Sequence, residues 1–339
     1  MNVSKPMNDA AAYRRVAETL RGSTRIASLC HENPDADTLG AAIAVALIAE
    51  RLGKGYEIVS GDRPAPMYSF LPLFAEIVSE PSGRADVAVI CDAATLERIG
   101  PIATSHAAWL SSTTIVNIDH HATNKGFGTD NLVDASAGAT CEIVTALLPD
   151  LGIEADPELA TALLSGIIRD TNGFADPSTS PRTLRQAASL LEAGAPLAAI
   201  YRTILEEMPY QRMLLWGRLL HDLGQRHGGR VVFACLTQAM LDETDTEQPD
   251  ADGVAEFIAQ AKGADITLLL RETRDEATRV SIRTSPSVNA AEIARPFGGG
   301  GHVRRAGCTV PSVMSQAVTE VLAVCDIQLP PRAGDNGHR

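Results

Sequence analysis

Short apolar runs alternate with segments of helical periodicity over the first two thirds of the chain, and this alternation limits the possible folds more than any other feature. Four runs have the length and composition of strands: Arg25–His31, Tyr56–Ser60, Asp86–Cys91 and Thr113–Asp119. Four segments have the periodicity of helices: Asp37–Leu52, Ala137–Leu148, Glu158–Arg169 and Arg182–Ala193. Strands that alternate with helices indicate a parallel sheet covered by helices. We therefore predict an α/β domain in this part of the chain.

The pattern changes after Gly194. Leu197–Glu207 and Gln211–Arg226 are predicted to form two helices, and the pair Gly228-Gly229 then precedes a second, smaller α/β block. The predicted strands of this block are Val231–Leu236, Asp265–Arg271 and Thr278–Arg283, and its predicted helices are Val254–Gln260 and Ser312–Cys325. Ser312 is a suitable N-cap for the last helix. We predict a first domain at 1–194, a helical linker at 195–228, a second domain at 229–330 and a flexible tail at 331–339.

Charge and composition limit the partners. The formal net charge is −13, and the chain lacks the basic stripe that proteins use to bind long nucleic acid. A nucleic-acid substrate should therefore be short. The six cysteines have neither C-x-x-C nor zinc-site spacing, which indicates reduced thiols in a cytoplasmic protein. No apolar stretch approaches the roughly 18 residues of a membrane span, and the amino terminus lacks the apolar region of a signal peptide.

Acidic and histidine residues follow predicted strands or helices at four places. They are His31, Asp35 and Asp37 after the first strand, Asp92 after the third, Asp119-His120-His121 at the end of the fourth, and Asp170 at the end of a helix. Open α/β sheets bind ligands at the edge where their strands end, so we expect these side chains to converge. Carboxylate and imidazole ligands suit Mn²⁺ or a similar divalent ion. Two such ions, about 3.5–4 Å apart, can hold a phosphoryl group and lower the pKa of a bridging water.

Each of these residues also has an ordinary structural explanation. An aspartate after a strand, such as Asp92, is commonly a helix N-cap. Adjacent histidines can be hydrogen-bonded within a loop, and Asp170 before Thr171-Asn172-Gly173 suits a turn. The coincidence of metal-binding residue types at four separate element ends favours the metal site over these explanations.

These motifs resemble those of a known family. The elements His31-x-x-Pro-Asp35-x-Asp37-x-x-Gly40, Asp92, Asp119-His120-His121 and Asp170 resemble the four motifs of the DHH phosphoesterase superfamily, and Gly298-Gly299-Gly300-Gly301-His302 resembles the glycine-rich signature of its DHHA1 domain. The resemblance spans nearly the whole chain. It is closest to the NrnA-like group of oligoribonucleases and 3′-phosphoadenosine-5′-phosphate (pAp) phosphatases, and it implies a mixed sheet in the smaller domain.

The resemblance also implies roles for individual residues. One metal ion would be bound by His31, Asp35 and Asp92, and the other by Asp37, Asp92, His120 and Asp170. Asp119 would orient the ligands. His121 would contact the scissile phosphate and help to protonate the leaving oxygen. Mn²⁺ is the favoured ion, with Mg²⁺ or another first-row divalent ion as the alternative.

The glycine run and a nearby strand are the candidates for substrate binding. A bare glycine run is commonly a flexible linker, but this one lies between a helical segment, Ala290–Arg295, and a strand. Its backbone N–H groups could approach a phosphate. Arg279, Ser281 and Arg283 alternate with apolar residues and so share one face of a strand. With the family resemblance, the predicted substrate-binding residues are Arg283, Gly299, Gly300, Gly301 and His302.

The predicted function is a metal-dependent phosphoesterase that hydrolyses short oligoribonucleotides, pAp or both, through a hydroxide held between two ions. A cyclic-di-AMP phosphodiesterase is the main alternative. An inorganic pyrophosphatase would carry a different second domain, and a catalytically dead nucleotide sensor would lack a ligand, whereas every expected ligand is present. Family habit suggests a homodimer formed by the apolar helix around Leu214–Leu220. The physiological substrate and the polarity of cleavage stay open.

Overall fold

The computed structural model describes residues 10–273 and 275–329. The predicted tail at 331–339 lies outside the described residues. The chain forms two compact units, Met1–Glu207 and Met208–Arg339. The boundary between them falls within the segment 195–228, for which a helical linker is predicted.

A six-stranded parallel sheet forms the centre of the first unit. Its strands are β1 (Arg25–Leu29), β2 (Gly55–Val59), β3 (Ile77–Val78), β4 (Val87–Cys91), β5 (Thr114–Asp119) and β6 (Asp130–Val133). Their order is β3-β2-β1-β4-β5-β6, and every neighbouring pair is parallel. The prediction of a parallel α/β domain is confirmed.

Helices cover both faces of this sheet. They are α1 (Ala10–Gly22), α2 (Ala36–Arg51), α3 (Ile102–Ser105), α4 (Ala107–Ser112), α5 (Thr140–Leu151), α6 (Pro157–Asp170), α7 (Pro181–Glu192) and α8 (Leu197–Tyr201), and α8 continues as a π-helical turn at Arg202–Glu206. The larger core packs α1, α2, α5 and α6 against one face. The smaller core packs α3 and α4 against the other.

Helix α2 is the most deeply buried element. Every residue from Ala36 to Ala49 is buried, as expected of a helix that is apolar on all sides. The Asp35 carboxylate caps it by accepting hydrogen bonds from the backbone N–H groups of Asp37 (2.9 Å) and Thr38 (3.3 Å). A Cβ at Gly40 would lie 2.4 Å from a backbone oxygen of α6, so only glycine allows these two helices to pack this closely.

Two strands of the first unit have no apolar run to predict them. β3 has only two residues, and β6 buries only Leu132. Both lie at the edges of the sheet, where a strand needs less apolar sequence because one side lacks a neighbouring strand. Helix α5 begins at Thr140, three residues later than predicted, because the preceding residues form a loop that returns from β6.

The second unit contains a mixed sheet, as the resemblance implied. Its strands are β7 (Gly224–Arg226), β8 (Val231–Leu236), β9 (Ile266–Glu272), β10 (Thr278–Thr284), β11 (Gly300–Gly301) and β12 (Arg305–Val310), in the order β11-β12-β10-β9-β8-β7. Only β8 and β9 pair in parallel. Its helices are α9 (Tyr210–His221), α10 (Gln238–Thr244), α11 (Val254–Ile258), α12 (Ala290–Ala294) and α13 (Met314–Gln328).

Two predictions for the second unit are wrong. The segment Gln211–Arg226 is not one helix, because α9 ends at His221 and Gly224–Arg226 pairs with β8 as a strand. Ser312 is not an N-cap, because α13 begins at Met314. The Ser312 hydroxyl instead donates a hydrogen bond to Oε1 of Glu320, 2.9 Å away.

Candidate metal centre

The predicted metal ligands lie together at one edge of the parallel sheet. Three adjacent strands, β1, β4 and β5, end there, as do the turn into α2 and the last turn of α6. These segments carry His31, Asp35, Asp37, Asp92, His120 and Asp170. The structure thus brings together residues that are up to 139 positions apart, as the strand-end rule predicted.

Two groups of ligand atoms share Asp92. One consists of His31, Asp35 and Asp92, the other of Asp37, Asp92, His120 and Asp170, and within each group the atoms lie within 4.8 Å of one another. The oxygens of Asp92 face different groups: Oδ2 is 3.3 Å from Nε2 of His31, and Oδ1 is 3.4 Å from Nε2 of His120. A carboxylate in this position can bridge two cations. A further group combines Asp92 and His120 with His121.

Both imidazoles are oriented by backbone carbonyls. Nδ1 of His31 lies 2.7 Å from the carbonyl oxygen of Glu32, and Nδ1 of His120 lies 3.4 Å from that of Ala137. When Nδ1–H donates to a carbonyl, Nε2 is left to bind a metal. In both residues Nε2 is the atom that faces the carboxylates; that of His120 is also 3.1 Å from Oδ2 of Asp170.

The backbone at Asp92 is strained. Its φ is 59°, in the left-handed region that few non-glycine residues adopt. The conformation is held from two sides: the N–H of Asp92 donates to the carbonyl of Ile118 (2.9 Å), and the hydroxyl of Thr140 donates to Oδ1 of Asp92 (3.0 Å). Such strain persists where the surrounding structure over-determines it, commonly at functional sites.

Asp119 is wholly buried behind the cluster. Its Oδ1 lies 2.7 Å from Nδ1 of His121, and its Oδ2 accepts a hydrogen bond from Nδ2 of Asn124 at 2.6 Å. The His121 side chain is 47 % exposed, much more than that of His120 at 18 %. Asp119 therefore orients His121, whose Nε2 is free of this interaction and can meet a ligand.

The amino end of α5 is part of the site, although no motif predicted it. The backbone N–H of Thr140 donates to Oδ2 of Asp37 at 2.6 Å, and that of Cys141 donates to Oδ1 at 2.9 Å. Both oxygens of this buried carboxylate are thus fixed by the positive end of a helix. The sequence signal was weak, since Thr140 is simply an early residue of an apolar segment.

The charges of the cluster depend on one another. Burial lowers the pKa of His120, but its hydrogen bonds to Asp170 and Asp92 outweigh this and raise it to about 11. Burial, with the nearby charges of Asp170 and Asp92, raises the pKa of Asp37 well above its ordinary value. Burial opposes the ionisation of Asp92, yet hydrogen bonds from His120 and His31 lower its pKa. Divalent cations can replace the protons that these residues retain.

The nearby cysteines are unsuited to metal binding. All six cysteines of the chain are free thiols, and Cys30, Cys91 and Cys141 are buried around the cluster. Burial raises the pKa of Cys30 to about 12 and raises those of Cys91 and Cys141 well above the ordinary value. Because the thiolate is the form that binds metals, the oxygen and nitrogen atoms are the available ligands. This donor set fits a hard or intermediate divalent cation such as Mn²⁺.

In the second unit, Arg279, Ser281 and Arg283 alternate along β10 with the buried Val280 and Ile282. They therefore share the outer face of the strand, as predicted. Arg283 is not free, because its Nη2 and Nε contact Oε1 of Glu256, at 2.5 and 3.2 Å. An anionic ligand at Arg283 would have to compete with this carboxylate.

The glycine run is more ordered than a loop. Gly300 and Gly301 form the edge strand β11, which pairs with Gly307 and Ala306 of β12, and the N–H of His302 donates to the carbonyl of Arg305. A Cβ at Gly299 would lie 2.3 Å from a backbone oxygen of β12, so glycine is required there. Where the sequence predicted an exposed glycine loop, the structure thus has a tight hairpin at the edge of the sheet. A cavity of about 490 Å³ lies beside it and is lined by Arg279, Ser281, Gly298 and Gly299 among others.

Comparisons with known proteins agree with this architecture. The model of the DHH family N-terminal domain matches residues 25–167, and that of the DHHA1 domain matches residues 228–328. The chain is 34 % identical to a bifunctional oligoribonuclease and PAP phosphatase NrnA of Thermus thermophilus over 95 % of both chains. It is 25 % identical to the protein of that name in Bacillus subtilis, over 83 % of this chain and 88 % of the other.

The fold also matches a solved structure. An exopolyphosphatase-related protein of Bacteroides fragilis superposes with a TM-score of 0.84 at 21 % identity, covering 94 % of this chain and 96 % of the other. The chain belongs to the DHH/DHHA1 phosphoesterase family. It is a phosphoesterase of the hydrolase class, similar to NrnA. Within the described residues, no helix is both long and apolar enough to cross a membrane.

Proposed function

We propose that this protein hydrolyses short oligoribonucleotides and pAp with the help of two divalent cations, Mn²⁺ being favoured. The observation that carries the proposal is the position of Asp92, whose two oxygens face two different groups of ligand atoms. One ion is assigned to His31, Asp35 and Asp92, and the other to Asp37, Asp92, His120 and Asp170.

The bound ions would supply a water of lowered pKa and neutralise charge that develops on the phosphate. The residues of the chain position the reacting groups. His121 is assigned to contact the phosphate and to give a proton to the leaving oxygen. Its imidazole can carry that proton because a hydrogen bond to the Asp119 carboxylate raises its pKa. His31 and His120 would hold the ions through Nε2, because their Nδ1 atoms face backbone carbonyls.

Substrate binding is assigned to the second domain. Arg283 and His302, with the backbone of Gly299, Gly300 and Gly301, would bind a phosphate or nucleotide end of the substrate. The net charge of −13 favours a short substrate over long nucleic acid. The names of the Thermus and Bacillus relatives, oligoribonuclease and PAP phosphatase, support the same two substrates. We also propose that the metal-binding domain spans residues 1–194, the helical linker 195–228 and the substrate-binding domain 229–330.

A substrate panel tests the proposal. The protein is stripped with EDTA, reconstituted with Mn²⁺ or Mg²⁺, and given pAp, a ribodinucleotide, cyclic-di-AMP or pyrophosphate at equal concentration. We expect the highest kcat/KM on the dinucleotide and pAp, with no turnover before metal is added. A preference for cyclic-di-AMP or pyrophosphate of tenfold or more would contradict the substrate assignment. Nucleotide binding without hydrolysis in either metal would instead indicate a sensor.

A further inference from the structure

The loop between β6 and α5, residues 134–139, and the amino end of α5 together contact three of the proposed metal ligands. The carbonyl of Ala137 faces Nδ1 of His120. The adjoining amino end of α5 fixes both oxygens of Asp37, and the Thr140 hydroxyl donates to Asp92. The geometry of three ligands, one of them the bridging residue, therefore depends on where this loop and helix end are held.

A buried ionic network holds this segment from behind. The Glu142 carboxylate has no exposed surface; its Oε2 accepts hydrogen bonds from the N–H of Gly138 (3.0 Å) and the hydroxyl of Thr183 (2.8 Å), and its Oε1 accepts one from Nε of Arg182. Nη1 of Arg182 donates to Oδ2 of Asp134 at 2.8 Å. The Arg182 side chain, 13 % exposed, thus joins the first residue of the loop to the first turn of α5.

The chemistry of this network points to positioning more than to stability. Removing charges from water is costly, and a buried ion pair often stabilises a fold no better than apolar residues of the same size. Both oxygens of Glu142 accept hydrogen bonds, and Nε and Nη1 of Arg182 donate them, whereas Nη2 of Arg182 is buried without a partner among the described residues. Bonds made from several sides confine the two side chains to one geometry. Here the geometry that the network fixes is that of Ala137 and Thr140, which contact the ligands directly.

We propose that Arg182, Glu142 and Thr140 are positioning residues for the metal centre: the Arg182–Glu142 pair locks the amino end of α5, and Thr140 transmits this order to Asp37 and Asp92. The inference rests on the proposed two-metal function. It predicts a loss of metal affinity when the network is broken, even though neither Arg182 nor Glu142 is a metal ligand.

The test compares four variants and one control variant with the wild type. Each metal-free protein is titrated with Mn²⁺ in a calorimeter, and its melting temperature is measured without metal. Arg182→Met breaks the ionic network, whereas Arg182→Lys retains its positive charge. Thr140→Val removes the hydroxyl contact to Asp92, whereas Thr140→Ser retains the hydroxyl. The matched control is Arg230→Met: Arg230 is about as buried as Arg182, at 15 % against 13 % exposed, and pairs with the more exposed Asp265 in the other unit. We expect Arg182→Met and Thr140→Val to raise the Kd for Mn²⁺ about 10- to 100-fold. Thr140→Ser should stay within about threefold, Arg182→Lys should fall in between, and Arg230→Met should leave Kd unchanged.

Several outcomes would overturn the inference. Arg182→Met could lower the melting temperature as Arg230→Met does and leave the Kd for Mn²⁺ within about twofold, which would make the network purely structural. If Arg182→Met does not fold, Thr140→Val decides alone, and an unchanged Kd in that variant contradicts the inference. A wild type that binds no Mn²⁺ would contradict the proposed function itself. Tight Mn²⁺ binding that is the same in the wild type and the variants would contradict only the positioning role.

Discussion

The buried carboxylate of Asp119 lies 2.7 Å from Nδ1 of His121, two residues along the chain, and this contact separates the two histidines of the DHH run. His120 turns its Nε2 toward Asp92 and Asp170, whereas His121 has its Nδ1 against Asp119 and its side chain half exposed. The two histidines therefore differ in their shortest contacts, although both also approach Oδ1 of Asp92, at 3.4 Å for His120 and 3.7 Å for His121. The proposed division into one metal ligand and one proton donor follows from these shortest contacts.

Replacing Asp119 by Asn should impair the proton donor and spare the metals. The hydrogen bond from His121 raises the pKa of this imidazole, so its loss should shift the alkaline limb of the kcat profile to lower pH. We expect kcat near neutral pH to fall about 100-fold, within the range that general acid catalysis contributes, and the Kd for Mn²⁺ to stay within about threefold. An unchanged pH profile would remove His121 from this role.

Substituting Gly166 by Ala should damage both the fold and the metal centre. A Cβ at this position would lie 2.4 Å from Oδ1 of Asp37 and equally close to Sγ of Cys141. We expect a loss of about 1–3 kcal/mol in the free energy of unfolding, which is typical of overpacking, together with weaker Mn²⁺ binding because Asp37 must move. Gly22→Ala is the control, since a Cβ there meets nothing within 4 Å. Equal denaturation midpoints for the two variants would contradict the packing at Gly166.

Mn²⁺ affinity should rise with pH. The pKa of His120 is raised to about 11 in the metal-free protein, so its proton must leave when Nε2 binds an ion. The apparent Kd should therefore fall about tenfold per pH unit for each proton released, throughout the range from about pH 6 to 9. Calorimetry in buffers of different ionisation enthalpy counts these protons, and His120→Ala should release about one fewer. Binding that is independent of pH would contradict the protonated cluster.

Arg283 should affect substrate binding more than turnover. Its pairing with Glu256 presents a cation on the outer face of β10, where a phosphate could replace the carboxylate. We expect Arg283→Gln to raise KM for pAp about tenfold, the loss of one charge-assisted interaction, with kcat within about threefold. Arg218→Gln, which removes an exposed arginine paired with Glu243, is the control and should change neither constant. A fall in kcat with unchanged KM would argue against a binding role.

Most of the parallel sheet could be predicted because its central strands are buried on both faces and therefore apolar. Val87–Cys91 is buried throughout, and its run of apolar residues gives both the strand and the position of Asp92 at its end. The edge strand β6 escaped prediction because it needs only Leu132 in the core. The helix expected at Gln211–Arg226 was too long because its last residues pair with β8, a contact between distant residues that local periodicity does not contain.

The convergence of the candidate ligands followed from a general rule about parallel strands, but their support did not. The hydrogen bonds from Thr140 and Cys141 to Asp37 join residues about a hundred positions apart, through backbone groups that every residue possesses. The Arg182–Glu142 pair likewise joins two helices, one with an apolar and one with an amphipathic sequence, and neither pattern predicts the contact. Side-chain type therefore predicts which residues could bind a metal, whereas the fold determines what holds them in place.

The central claim, that Asp92 serves two metal ions at once, is tested most directly by replacing it with Ala. Bound Mn²⁺ is counted by titration of the metal-free protein, and hydrolysis of a ribodinucleotide is measured in parallel. For the wild type we predict two bound ions per chain and full turnover. For Asp92→Ala we predict fewer than two ions and turnover lowered at least about 1,000-fold, because an aspartate shared by both ions supports the whole site. Two tightly bound ions and near-normal turnover in Asp92→Ala would contradict the account.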